Sequence, residues 1–172
     1  LSWTIAGRAA LLRDGREVLL QVEPVDPRDL LRGDYVRLGY TISTVPVSVV
    51  TDIPAGIETL GETPISVRLR RQSDGYWAVV SARLGGRAAP TADGEIDIAG
   101  TTAATWDLSP NATLRVNYGI ERFYLPEGEG KAIERDMRVR SFGIVAAVGA
   151  DGAAQIKRLM DGDQMLFEEP LY

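Results

Sequence analysis

Pro64-Ile65-Ser66-Val67-Arg68-Leu69-Arg70-Arg71-Gln72, Ser73-Asp74-Gly75, Tyr76-Trp77-Ala78-Val79-Val80-Ser81-Ala82-Arg83-Leu84 is the stretch that decides the fold. Two runs with apolar and β-branched residues at alternate positions flank a short Ser-Asp-Gly turn, which is the pattern of a β-hairpin. The same signature recurs outward along the chain. Arg16 to Val25 reads as a strand, with Val18, Leu20 and Val22 on one face. Tyr35 to Ile42 reads as another, with Tyr35, Arg37, Gly39 and Thr41 on one face and Val36, Leu38, Tyr40 and Ile42 on the other. Glu95 to Ala99 and Ala112 to Leu125 follow, separated by a turn at Ser109-Pro110-Asn111. Val139 to Val148, Ala154 to Met160 and Gln164 to Phe167 close the chain, with Gly149-Ala150-Asp151-Gly152 turning the first of them back.

Helical patterns are few. The first fourteen residues have helical period, Asp26-Pro27 is a good start for a single helical turn, and Lys131 to Arg138 has helix-forming composition. Ser43 to Thr63, with two Pro and two Gly, reads as a long connection. No repeat and no composition break marks a linker. The expected fold is therefore mainly β: a single antiparallel β domain, sandwich or open barrel, over residues 15–172, carrying two or three short helices.

Composition removes whole classes of chemistry. The 172 residues include neither His nor Cys, which excludes Ser-His-Asp triads, Cys nucleophiles, His-ligated zinc and Fe–S clusters. Nineteen basic and 24 acidic residues give a net charge of −5, and no basic stripe of the kind that binds nucleic acid is present. Seventeen of the basic residues are Arg; Lys131 and Lys157 are the two lysines. A charge-free run from Leu38 to Thr51 has 14 residues and contains Pro46, too short and too polar to span a membrane. No cofactor or metal is expected.

Two segments stand out. The first is Asp26-Pro27-Arg28-Asp29-Leu30-Leu31-Arg32-Gly33-Asp34-Tyr35-Val36-Arg37-Leu38-Gly39-Tyr40. The second runs Tyr118-Gly119-Ile120-Glu121-Arg122-Phe123-Tyr124-Leu125-Pro126-Glu127-Gly128-Glu129-Gly130 and on to Glu134. As architecture, Asp26 caps a turn, Gly33 permits positive φ, Asp34 bonds backbone amides, and Leu38 and Tyr40 pack inward with the Tyr40 hydroxyl on a partner. In the second segment, alternation sets Tyr118, Ile120, Arg122 and Tyr124 on one face, and Glu121, Phe123 and Leu125 on the other. If Glu121 and Arg122 are buried they need partners. Either they pair with Asp29 or Arg32, or they form the floor of a binding site. The candidate ligand or partner site is accordingly Arg28, Asp29, Arg32, Asp34, Tyr35, Glu121, Arg122 and Tyr124. Two carboxylates in Glu127-Gly128-Glu129-Gly130 would repel phosphate, so that loop is not a nucleotide site; Glu127, Glu129 and Glu134 make either a solvated acidic helix start or a cation site.

The first segment resembles the signature of the GDYxxLxY family, whose every defined position is filled by Gly33, Asp34, Tyr35, Leu38 and Tyr40. The Pro-Val-Asp-Pro-Arg-Asp run before it and the Tyr-Gly-Ile-Glu-Arg-Phe-Tyr run after it extend the likeness over most of the chain. The resemblance implies a bacterial protein with one N-terminal transmembrane anchor, a domain on the extracytoplasmic, periplasmic side of the inner membrane, and a polytopic membrane protein encoded nearby. Residues 1–14 are then the aqueous end of that anchor, the chain's one link to the membrane. No catalytic residue comes with the family. The expected role is a non-catalytic interaction module, accessory to a membrane-protein partner or binding an envelope ligand. The alternative is an envelope hydrolase using paired carboxylates or a Ser/Lys pair.

Overall fold

The computed structural model describes residues 2–23, 31–32, 35–85, 92–124, 142–162 and 164–168. Helix α1 (Ser2–Asp14) carries Arg13 in its last turn, where a cation suits the dipole, and buries Leu12. Strand β1 (Arg16–Gln21) follows at once and buries Val18 and Leu20, the alternation read from the sequence. The next strands are β2 (Leu31–Arg32), β3 (Tyr35–Arg37), β4 (Thr44–Pro46) and β5 (Val50–Thr51), with 3₁₀ turns at Thr41–Ser43 and Val47–Val49. The expected hairpin forms as β6 (Thr63–Arg71) and β7 (Trp77–Leu84), with Leu69 opposite Val79 and Arg71 opposite Trp77. Then come β8 (Glu95–Thr102), β9 (Thr113–Asn117), β10 (Arg122–Tyr124), β11 (Phe142–Val148), β12 (Ala154–Asp161) and β13 (Gln164–Glu168).

The chain is mainly β, as expected, with four corrections. The strand expected over Tyr35–Ile42 stops at Arg37, because the chain turns to send Tyr40 and Ile42 into the core. The expected connection from 43 to 63 contains β4 and β5, whose short apolar runs find sheet edges to join. The run 112–125 is two strands, broken where Gly119 takes φ +80°, a left-handed conformation. Finally, the sheets are mixed rather than purely antiparallel, since β5 pairs with β7 in parallel. Among the described residues there is one α-helix and two 3₁₀ turns; the helical segments expected near Asp26 and over Lys131 to Arg138 lie outside them.

The strands form a six-stranded sheet, β4-β9-β8-β6-β7-β5, a four-stranded sheet, β1-β11-β12-β13, and a small sheet, β10-β3-β2. Bridging backbone bonds curl them into a half-barrel. Val22 N–H donates to Phe142 and Glu23 N–H to Gly39, carrying the end of β1 onto the segment after β3. On the other side, the turn between β11 and β12 is pinned to β8. There Ala99 N–H donates to the Gly152 carbonyl at 2.9 Å, and a Cβ at Gly152 would stand 2.9 Å from Ala99 N. The core between the sheets is apolar, including Leu20, Ile65, Leu69, Ile98, Leu114, Phe142 and Ile144. At the start of β8, two buried carboxylates are matched from β6: Arg68 grips Asp97 with two bonds of 2.9 and 3.0 Å, and Arg70 reaches Glu95 at 2.5 Å.

Candidate functional site

The two segments singled out in the sequence meet. Strands β3 and β10 pair antiparallel, with Arg37 opposite Arg122, Val36 opposite Phe123 and Tyr35 opposite Tyr124; β2 adds Leu31 opposite Val36 and Arg32 opposite Tyr35. Leu38 N–H donates to the Glu121 carbonyl at 2.8 Å, so the contact continues past the strands. Rows two apart in a sheet share a face. Arg37 and Arg122, directly opposite each other, are both exposed, while Phe123 on the other face is buried.

Beyond the small sheet, the segments lock through two tyrosines. The Tyr40 hydroxyl donates to the Ile120 carbonyl at 2.5 Å, and the Tyr118 hydroxyl donates to the Ile42 carbonyl at 2.6 Å. Leu38, Tyr40, Tyr118, Ile120 and Phe123 are all buried, so the inward packing expected of Leu38 and Tyr40 holds. Glu121 sits beside this pair. Its Oε2 accepts from Tyr118 N–H at 3.0 Å, and its Oε1 is buried with no hydrogen-bond partner among the described residues. Burial first, and then the Glu121 carboxylate, push both tyrosines well above the ordinary phenol range, which keeps them protonated donors.

Strict alternation along the second segment does not hold. Alternation runs unbroken from Leu114 through Ile120 and slips by one residue at half-buried Glu121, so Tyr118, Ile120 and Phe123 all go inside and Arg122 goes out. Of the expected site residues, Arg28, Asp29 and Asp34 lie outside the described residues. Arg32, Tyr35 and Tyr124 are placed by register, Arg122 by register and exposure, and Glu121 by its hydrogen bond to Tyr118. Arg37 belongs with them and was not among the candidates. The available signal was its place on the Tyr35 face, which becomes meaningful only once β10 is known to lie alongside.

These signature segments decide the assignment. A family model described as GDYXXLXY protein matches residues 1–159. The chain belongs to the GDYXXLXY family. No curated protein and no solved structure matches it significantly. In this member the signature Leu38 and Tyr40 build the core seam, while Arg37, just before Leu38, is exposed.

Other candidate chemistry places as follows. Lys157 lies 3.0 Å from Glu17, which Arg158 also contacts; burial opposes ionisation of Glu17, yet the two cations hold it below the usual carboxylate range. The ammonium that a Ser/Lys pair would use is thus engaged by a carboxylate. Lys131, Glu127, Glu129 and Glu134 lie outside the described residues, among which no cluster of metal-ligating side chains occurs. Among the described residues no helix is long and apolar enough to cross a membrane. A cavity of about 480 Å³ opens between the end of α1, the start of β8 and the turn after β11, lined in part by Leu11, Asp14, Arg16, Ile96, Asp97 and Val148. Two of its polar groups are already committed: Arg16 donates to the Glu95 carbonyl and lies over the Trp77 ring, and Asp97 is held by Arg68.

Proposed function

We propose that this chain is a non-catalytic interaction module, tethered to the extracytoplasmic face of a membrane by an N-terminal anchor. It engages a membrane-protein partner or an envelope ligand through the outer face of the β2–β3–β10 sheet. The observation that carries the proposal is the register of Arg37 against Arg122, both exposed. Like charges directly opposite each other on neighbouring strands destabilise a sheet. Arg37 has no ion-pair partner among the described residues. The exposed Arg37 guanidinium fork suits a carboxylate or phosphate group on a partner. A tether raises the local concentration of the domain around membrane partners, which makes a modest contact sufficient.

The test is crosslinking and affinity purification of the full-length protein from native membranes, with partners identified by mass spectrometry. A specific polypeptide or envelope ligand should be recovered with the parent. It should be lost with Arg37→Glu or Arg122→Glu, variants whose melting temperatures stay near that of the parent. Recovery of the protein alone, or only with itself, overturns the proposal and moves weight to a hydrolase acting through carboxylates.

A further inference from the structure

Trp106 is 83% exposed, an unusual state for the largest apolar side chain. It stands on a built platform. Strands β6 and β8 pair Thr63 with Thr102, and the same register continues beyond both strands to Leu60 and Thr105. There the backbones exchange hydrogen bonds of 2.9 and 2.8 Å. The two connections, 52–62 and 103–112, are thus stapled together as an extension of the sheet, and Trp106 lies one residue past the staple. Its chain is held on both sides. Thr105 Oγ1 accepts from Asp107 N–H at 3.3 Å, Asp107 Oδ1 accepts from Ser109 N–H at 3.0 Å, and Leu108 packs on the core. Ile57, on the other connection, is the second exposed large apolar residue here.

Charge at this tip has one sign. Residues 52–62 and 103–112 contain Asp52, Glu58, Glu62 and Asp107 and no Lys or Arg. Arg83 of β7 neutralises Asp52 at 3.6 Å, leaving Glu58, Glu62 and Asp107 as the exposed charges on the two stapled connections. The hydrogen bonds from Ser109 keep Asp107 below the usual aspartate range, so it is charged at neutral pH. An exposed Trp also suits a lipid interface, but anionic headgroups repel a carboxylate rim. Tryptophan is among the residues most enriched at the centres of protein interfaces, where it fills an apolar pocket inside a polar rim.

We infer that the Trp106 tip is a docking surface for a protein partner that offers an apolar pocket edged with Lys or Arg. This surface is separate from the Arg37–Arg122 face and does not depend on it.

The experiment places a photoreactive amino acid at exposed Thr59, next to stapled Leu60, in the full-length protein in its native membranes. A control carries it at exposed Met165 of β13. A discrete adduct with one other polypeptide is expected from position 59, and none of that size from 165. Trp106→Ala should abolish the adduct and Trp106→Phe partly restore it. Glu58→Lys with Glu62→Lys should cut its yield about tenfold, since rim charges govern encounter. Salt at about 1 M, where the screening length is about 3 Å, should do the same. An adduct only with lipid, an adduct with a second copy of this chain, no adduct, or a yield indifferent to Trp106 and to charge would each overturn it. Arg37→Glu serves as the separating control: loss of the signature-face partner with the tip adduct intact shows that the two surfaces stand or fall independently.

Discussion

Tyr40 and Tyr118 reach across one seam in opposite directions: Tyr40 donates its hydroxyl to the Ile120 carbonyl, and Tyr118 returns the bond to the Ile42 carbonyl. Each hydroxyl satisfies a backbone acceptor on the strand-to-turn segment that carries the other tyrosine. Tyr40→Phe should therefore leave the Ile120 carbonyl without this donor and cost about 1–3 kcal/mol in urea denaturation. The double variant with Tyr118→Phe should lose less than the sum of the two single variants, by about 0.5 kcal/mol or more, because both bonds hold one seam. Strict additivity would mean that the two bonds act independently.

Gly119 has φ +80°, and a Cβ added there would meet no atom within 4 Å, so the cost of a side chain is conformational alone. Gly119→Ala should destabilise by about 1–2 kcal/mol. A neutral result would mean that the left-handed turn accepts a side chain at no net cost.

Arg122 is exposed, which changes what its loss should do. A buried ion-pair partner would cost several kcal/mol on truncation. Arg122→Ala should instead stay within about 1 kcal/mol of the parent by thermal melting, while capture of the partner on the signature face falls. A large drop in melting temperature would make the residue structural.

Asp97 presents the opposite case. It is buried and takes two bonds from Arg68, so Asp97→Ala removes both from a partly buried guanidinium and should cost about 3 kcal/mol in denaturant titration. A value below about 1 kcal/mol would place this pair with ordinary surface salt bridges.

The chain has no His and no Cys, so few groups titrate between about pH 5 and 9 and stability should be flat there. Below that window the sign is set by Glu95 and Glu17. The Arg70 hydrogen bond depresses Glu95; against the opposing effect of burial, Lys157 and Arg158 depress Glu17. In acid the unfolded chain takes up protons first, so stability present at neutral pH is lost as pH falls from about 4.5 through the lower folded values. At the alkaline end, Tyr40 and Tyr118 are raised by burial and then by Glu121. The unfolded tyrosines ionise first, near pH 10, and stability falls as pH rises beyond it. Melting temperatures across pH 2–11 check both arms, and a maximum confined to a narrow neutral range would contradict them.

Local order could be read from the chain alone. Alternation and turn chemistry over 64–84, 16–22 and 142–160 act between near neighbours, so the strands and hairpins there are legible residue by residue, as is the inward packing of Leu38 and Tyr40. Missing His and Cys likewise bounded the chemistry whatever the fold. Partner choice was not local. Tyr40 finds its acceptor 80 residues on and Tyr118 finds one 76 residues back. Short apolar runs at Thr44–Pro46 and Val50–Thr51 become strands only because a sheet edge is there to accept them. Arg37 gained its place at the candidate site from the register of β3 against β10, and Trp106 its exposure from the staple between Leu60 and Thr105. Pairings across long loops depend on which edges the rest of the chain leaves open, and that competition is resolved only when the whole core packs.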